Sequence, residues 1–203
     1  MSGAGPIVKI CGITNSEDAL AAVEAGATAI GFNLWRGSPR FIEASEAARI
    51  GGMLPETVLK VGVFVDEAQE RVEEIAREAG LDVVQLHGEP AFVPGLRCWR
   101  AYHVGAGGEL AIEGADGAEA ILLDTADPGL RGGTGRTFPW DIARGLQYQI
   151  VLAGGLDATN VREAIRRARP WGVDACSRLE SSPGRKDHER VKAFIAAALA
   201  ELS

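Results

Sequence analysis

Val8-Lys9-Ile10-Cys11-Gly12-Ile13-Thr14 reads as a short buried strand that stops at a glycine and hands over to a helix. Side chains alternate along a strand, so of Ile10 and Cys11 only one faces a pocket at the strand end. Thr14, with Glu17 three residues on, has the pattern of a capping box that opens the next helix. Strand-to-helix junctions are where α/β folds hold their ligands. Cys11 is therefore either a small core hydrophobe or a reactive thiol, and this stretch alone does not choose between them.

The same unit recurs down the chain. Apolar runs at Thr28–Leu34, Val58–Val65, Asp82–Leu86, Arg97–Tyr102, Ala120–Asp124, Gln149–Ala153 and Gly172–Ala175 read as strands. Helical patterns fall between many of them: Ser45–Met53, Glu67–Ala79 with Gly80 as its C-cap, the short Trp140–Leu146, Asp157–Ala168 and Asp187–Leu202. The glycine-rich stretch Gly105–Gly117 is a poor helix, since each interior glycine costs about 1 kcal/mol relative to alanine. Eight strands with right-handed crossovers predict a closed (β/α)8 barrel, with an open doubly wound sheet as the alternative. No G-x-G-x-x-G follows the first strand, which counts against a dinucleotide fold. No linker divides the 203 residues, so one domain over 1–203 is expected, with 1–6 as an N-terminal extension.

Composition narrows the partners. A formal net charge of -7 without a block of like charge argues against nucleic acid. It leaves room for an anionic small molecule held by local donors. No apolar run has the length of a membrane span, and the opening residues lack the pattern of a signal peptide. Three dispersed cysteines, Cys11, Cys98 and Cys176, lack metal spacing and suit a reducing cytoplasm. No cofactor or metal is expected; monomer and homodimer both stay open.

In a barrel, chemistry collects where strands end and βα loops begin. Those ends carry Cys11, Ser38-Pro39-Arg40, Gln85 with His87, Arg100, Asp124, Gly154-Gly155, and Asp174 to Arg178. Polar residues and glycines stand there where apolar side chains would fill a core. Gly154 and Gly155 either let backbone N–H groups approach a phosphate, with the segment Cys176-Ser177-Arg178 completing that site, or simply make a tight strand-to-helix turn. Asp124 closes an apolar strand, where a carboxyl has a raised pKa and suits a general acid; alternatively it caps a helix or pairs in its loop. Strand one and strand six would set Cys11 and Asp124 on opposing sides of the mouth, as proton transfer at two atoms of one sugar requires. Arg40, behind a rigid Ser38-Pro39, either clamps a carboxylate through two nitrogens or is solvated. His87 and His103 are expected to be structural and His188 solvated. The four tryptophans are expected to pack helices on strands.

Together these motifs resemble the phosphoribosylanthranilate isomerase family of tryptophan biosynthesis. The matching runs are Lys9-Ile10-Cys11-Gly12-Ile13-Thr14, Ser38-Pro39-Arg40, Val84-Gln85-Leu86-His87-Gly88, Leu122-Leu123-Asp124-Thr125, Gly132-Gly133-Thr134-Gly135, Leu152-Ala153-Gly154-Gly155-Leu156 and Gly172-Val173-Asp174. The resemblance implies an Amadori rearrangement of a phosphorylated substrate without cofactor or metal. It implies Cys11 as the general base on the ribose C2 and Asp124 as the general acid on the furanose oxygen. It further implies Arg40 on the anthranilate carboxylate, with Gln85, Gly133, Gly154, Gly155, Asp174, Ser177 and Arg178 around the rest of the substrate. A positive potential from Lys9 or Arg40 would favour the thiolate of Cys11. Where the family has Ser-Ser-Gly-Val-Glu, this chain has Cys176-Ser177-Arg178-Leu179-Glu180, and Arg178 either crowds the phosphate or serves it. That departure keeps open a phosphate-binding barrel without catalysis. The related isomerase of histidine synthesis uses an aspartate where Cys11 stands, and indoleglycerol-phosphate synthase a lysine.

Overall fold

The computed structural model describes residues 5–125 and 138–202. Eight parallel strands close into a barrel in chain order: β1 (Ile7–Ile10), β2 (Ala29–Asn33), β3 (Leu59–Val65), β4 (Val83–His87), β5 (Cys98–Val104), β6 (Ala120–Thr125), β7 (Ile150–Leu152) and β8 (Gly172–Ala175), with β8 pairing back onto β1. The open-sheet alternative is excluded, because a closed ring leaves no edge strand. The expected extension falls almost wholly outside the described residues, as does the loop carrying Gly133.

Five α-helices surround the ring: α1 (Ser16–Glu24), α2 (Ala44–Gly51), α3 (Gln69–Ala79), α4 (Val161–Ala168) and α5 (His188–Leu202). Strands β4 and β5, and β5 and β6, are joined without an α-helix, as the glycines of Gly105–Gly117 foretell. The expected helix at Trp140 is a 3₁₀ turn over Trp140–Gly145. Two boundaries move for a side-chain reason. The N-cap of α1 is Asn15, whose Oδ1 accepts from Asp18 N at 2.9 Å, whereas Thr14 donates its hydroxyl to the Gly184 carbonyl. Helix α4 starts four residues later than its pattern suggests. There Asn160 Oδ1 accepts from Asp157 N at 2.9 Å and its amide donates to Gly155 O at 2.8 Å, building a turn first.

The strand period of two sorts the core into two shells. Val8, Ile10, Phe32, Leu86, Ile121 and Leu123 point outward and pack under the helices. Ile7, Ala29, Val61, Val83, Leu122 and Val151 point into the ring. Trp99 also lies inside, with Trp171 edge-on to it at 5.8 Å and 78°. Its indole thus fills the barrel floor rather than joining helix to strand. The same parity directs Lys9, Cys11, Gln85, His87, Asp124 and Asp174 inward and upward toward the C-terminal ends of their strands. It directs Arg100 outward: the guanidinium donates to the carbonyls of Gly88 and Pro90, so Arg100 supports the loop after β4 and is not at the mouth.

One hairpin was absent from the sequence reading. Strands β9 (Glu180–Ser182) and β10 (Arg185–Lys186) pair antiparallel after β8. The hairpin docks on α1, since Lys186 N donates to the buried Asp18 Oδ2 at 2.8 Å. His188 adds a 2.8 Å contact from Nε2 to Asp18 Oδ1, so it braces this junction rather than standing free in solvent.

Small inward residues make room for large ones. A Cβ at Gly31 would lie 2.8 Å from Cys11 Sγ, 3.0 Å from Cys11 Cα and 3.0 Å from Lys9 Cε. One of these contacts is backbone, which cannot swing aside. Gly31→Ala is therefore expected to destabilise the barrel by about 1–3 kcal/mol. Urea unfolding followed by circular dichroism checks this; an unchanged midpoint would show that the strand ends yield freely.

Candidate active site

The C-terminal ends of the strands surround an open cavity of about 960 Å³. Cys11, Arg40, Gln85, Asp124, Gly154, Gly155, Asp174, Ser177 and Arg178 all line it. His87, His103 and Trp35 line it as well, so these three belong to the mouth rather than to structural packing alone. A second cavity, of about 570 Å³, lies at the opposite end among Gln149, Ile150, Pro170 and Trp171, where strands begin, and no thiol or carboxylate faces it.

A buried ion pair sits beneath the mouth. Lys9 Nζ is 3.0 Å from Asp174 Oδ1, with the lysine side chain fully enclosed. Burial opposes the lysine's charge, but Asp174 and then Cys11 outweigh it and hold the ammonium protonated. Asp174 thus has a partner from within the chain, at the seam where β1 meets β8.

The two candidate proton-transfer groups flank that pair and shift in opposite directions. The Cys11 thiol falls to about 7: a hydrogen bond with the Cys176 side chain lowers it most, burial opposes, and the Lys9 charge lowers it further. Lys9 is thus one source of the expected positive potential, while the larger influence is the Cys176 side chain, which the sequence reading assigns to the phosphate segment. Asp124 rises to about 6, because burial and the neighbouring Asp174 charge outweigh the N–H of Thr125 and the charge of Lys9. That N–H donates to Asp124 Oδ1 at 2.8 Å and fixes the carboxyl's orientation. Gly154 makes this approach feasible: at φ +83°, a Cβ there would lie 2.3 Å from Thr125 Oγ1 and 2.8 Å from Asp124 Oδ1. Its lack of a side chain therefore serves the carboxyl at least as directly as it serves an anion.

Arg40 already holds a carboxylate of its own chain. Its Nε donates to Glu180 Oε1 at 2.8 Å and its Nη2 to Oε2 at 2.7 Å. The Nε and Nη2 edge is thus occupied, which leaves Nη1 as the nitrogen without a bond to Glu180 on a residue that lines the cavity. Lys186 Nζ reaches the same Glu180 Oε1 at 2.9 Å. Burial pushes the Glu180 carboxyl up, but the bonds from Arg40 and the charge of Lys186 outweigh it and keep it ionised. Glu180 and Lys186 carry no role in the sequence reading, although Glu180 matches the glutamate that ends the family's Ser-Ser-Gly-Val-Glu run.

Gln85 is buried, its Nε2 lies 2.9 Å from His87 Nε2, and its Oε1 has no hydrogen-bond partner among the described residues. An acceptor so placed is open to a ligand donor. At the ends of β7 and β8, Gly154 and Gly155 face Ser177 and Arg178 across the strand pair. Arg178 Nη1 bonds Asp157 Oδ2 at 2.7 Å, which draws the guanidinium toward the loop before α4. Among the described residues, no group of three or more histidine, cysteine, aspartate or glutamate side chains is set to hold a metal ion. No helix among them is long and apolar enough to cross a membrane.

Comparison with known proteins agrees with this geometry. A family model described as N-(5'phosphoribosyl)anthranilate (PRA) isomerase matches residues 8–197. A protein of Solibacter usitatus named N-(5'-phosphoribosyl)anthranilate isomerase is 50% identical over 199 residues, covering 97% of this chain and 98% of its own. The crystal structure of phosphoribosyl anthranilate isomerase from Thermus thermophilus superposes with a TM-score of 0.84 at 39% identity, covering 97% and 100% of the two chains. Another such isomerase, solved with reduced 1-(o-carboxyphenylamino)-1-deoxyribulose 5-phosphate, superposes with a TM-score of 0.79 at 38% identity, covering 96% and 99%. With the matched region running from β1 into α5, the chain belongs to the N-(5'-phosphoribosyl)anthranilate isomerase family.

Proposed function

We propose that this chain catalyses the reaction its family is named for, the isomerisation of N-(5'-phosphoribosyl)anthranilate to 1-(2-carboxyphenylamino)-1-deoxyribulose 5-phosphate in tryptophan biosynthesis. The observation that carries this reading is a thiol with a lowered pKa and a carboxyl with a raised one, opening into one cavity on either side of a buried ion pair.

The reaction moves protons and leaves composition unchanged. Asp124 in its acid form gives a proton to the furanose oxygen; the C1–O bond breaks and the nitrogen lone pair forms a C1 iminium. The Cys11 thiolate then takes the proton from C2, and the electron pair of that C–H bond moves to C1–C2, producing the enolamine. Proton return to C1 and loss from the 2-hydroxyl give the ketone. General acid and base groups contribute most when their pKa values lie near the working pH, which suits values of about 6 and about 7.

In this reading the phosphate rests against Gly154, Gly155, Ser177 and Arg178, with Gly133 contributing from outside the described residues. The anthranilate carboxylate meets Nη1 of Arg40, the free Gln85 Oε1 accepts from a sugar hydroxyl, and Asp174 acts through Lys9. A thiol base also implies a reducing setting, and the cytoplasm provides one.

Removing either group tests the roles. Cys11→Ala and Asp124→Asn are each expected to lower kcat by about 10²–10⁴-fold, the range of general acid–base catalysis. Loss of anthranilate fluorescence reports turnover, and calorimetric titration with a reduced product analogue reports binding, expected to weaken far less. Turnover at the unsubstituted rate in either variant overturns the role of that residue.

The pH dependence follows from the signs. Turnover requires Cys11 deprotonated, so kcat/KM rises as pH approaches about 7. It requires Asp124 protonated, so kcat/KM falls as pH passes about 6. Because the base has the higher pKa, the expected profile is a bell centred between the two values, with each group in its working form in roughly a quarter of molecules at the centre. Buffer-matched kinetics check this, and a profile still rising at alkaline pH would overturn Asp124 as the acid.

A further inference from the structure

Cys176 has no role in the chemistry described so far, yet it stands next to Cys11. Strands β1 and β8 pair with Ile10 opposite Ala175, and Cys11 N donates to Ala175 O at 3.0 Å. Cys11 and Cys176 are the next residue on each strand, and paired strands run about 4.8 Å apart. Both side chains line the cavity side by side, close enough for the Cys176 S–H to act on the Cys11 sulfur. Gly12, at φ +71°, leaves space for the second sulfur, since a Cβ there would lie 2.8 Å from Cys176 Sγ.

The groups around the two sulfurs decide which keeps the proton. On the Cys11 side stand Lys9 from β1 and Asp174 from β8. On the Cys176 side stand Glu180 and Lys186 from the hairpin and Arg40 from the loop after β2. Cys176 Sγ is 3.9 Å from the Glu180 Oε1 carboxylate oxygen, the long limit of an S–H contact, so the single hydrogen of the thiol is free to turn to Cys11. Lys186 Nζ lies 3.7 Å from the same sulfur but is drawn to Glu180 Oε1 at 2.9 Å. The Cys11 sulfur and then burial keep Cys176 a thiol against the charges of Lys186 and Arg40, while the buried Lys9 ammonium favours charge on Cys11.

We propose that Cys176 is a positioning residue for the isomerisation: its S–H donates to the Cys11 sulfur and holds Cys11 as the thiolate that takes the C2 proton. The proposal rests on Cys11 being the base. The hydrogen bond favours the charged sulfur and has little to offer once Cys11 has accepted its proton, so the same contact that prepares the base also eases proton return.

The test uses Cys176→Ala, Cys176→Val and Cys176→Ser in the full chain. Two readouts are followed against pH: alkylation of Cys11 by iodoacetamide, located by peptide mass so that Cys98 and Cys176 are counted apart, and kcat/KM. Removing the donor is expected to move the Cys11 alkylation midpoint upward from about 7. A shift of one pH unit lowers both alkylation and kcat/KM at pH 6 by about tenfold, with the loss shrinking as pH rises past the new midpoint. Cys176→Val keeps side-chain bulk without a donor and carries the test if the alanine variant does not fold. Cys176→Ser restores a donor and is expected to recover most of the loss. An alkylation midpoint unmoved in the alanine and valine variants overturns the hydrogen bond. A loss of kcat/KM by one factor at every pH assigns Cys176 a merely structural role and overturns the proposal. A midpoint that moves while kcat/KM does not overturns Cys11 as the base, and the positioning role with it.

Discussion

The Lys9–Asp174 ion pair is the constraint around which the mouth is built. Removing two charges from water costs several kcal/mol per ion, and only close pairing with further polar neighbours offsets it. Here the neighbours are the working groups themselves. The ammonium favours a negative Cys11, and the carboxylate disfavours a negative Asp124. One pair, neutral overall, therefore adds to both shifts, reinforcing the Cys176 side chain at the thiol and burial at the carboxyl.

Glycine is the second constraint. The lysine stem and the Cys11 sulfur occupy the volume a side chain at residue 31 would fill, and the Asp124 carboxyl occupies what Gly154 leaves empty. The ring is thus filled by complementary choices on adjacent strands: a large or charged residue on one and no side chain on the next. The sequence reading explains Gly154 by an anion or a tight turn, because spacing along one strand says nothing of what the neighbouring strand presses against it.

Much of the architecture was legible because it is written locally. Strand positions, their alternation, the glycine that ends α3 and the polar residues at strand ends all follow from period and residue type. What was not legible depends on partners far away in sequence. Arg40 reads as a free clamp until Glu180, well beyond it in the chain, takes its side-on face. Thr14 reads as a cap until Gly184 claims its hydroxyl and Asn15 takes the role. Arg100 reads as a mouth residue until the strand register turns it outward to two carbonyls. Cys176 reads as part of the phosphate segment until the pairing of the first strand with the last sets it beside Cys11.

That pairing has a consequence for how the protein comes into being. Lys9 and Cys11 leave the ribosome well before Asp174 and Cys176 do. Until the last strand seats against the first, the nascent chain carries an ordinary cysteine, mostly protonated and slow to react. Ring closure and the arming of its sulfur are a single event, so an unfinished barrel does not expose an activated nucleophile to the cell.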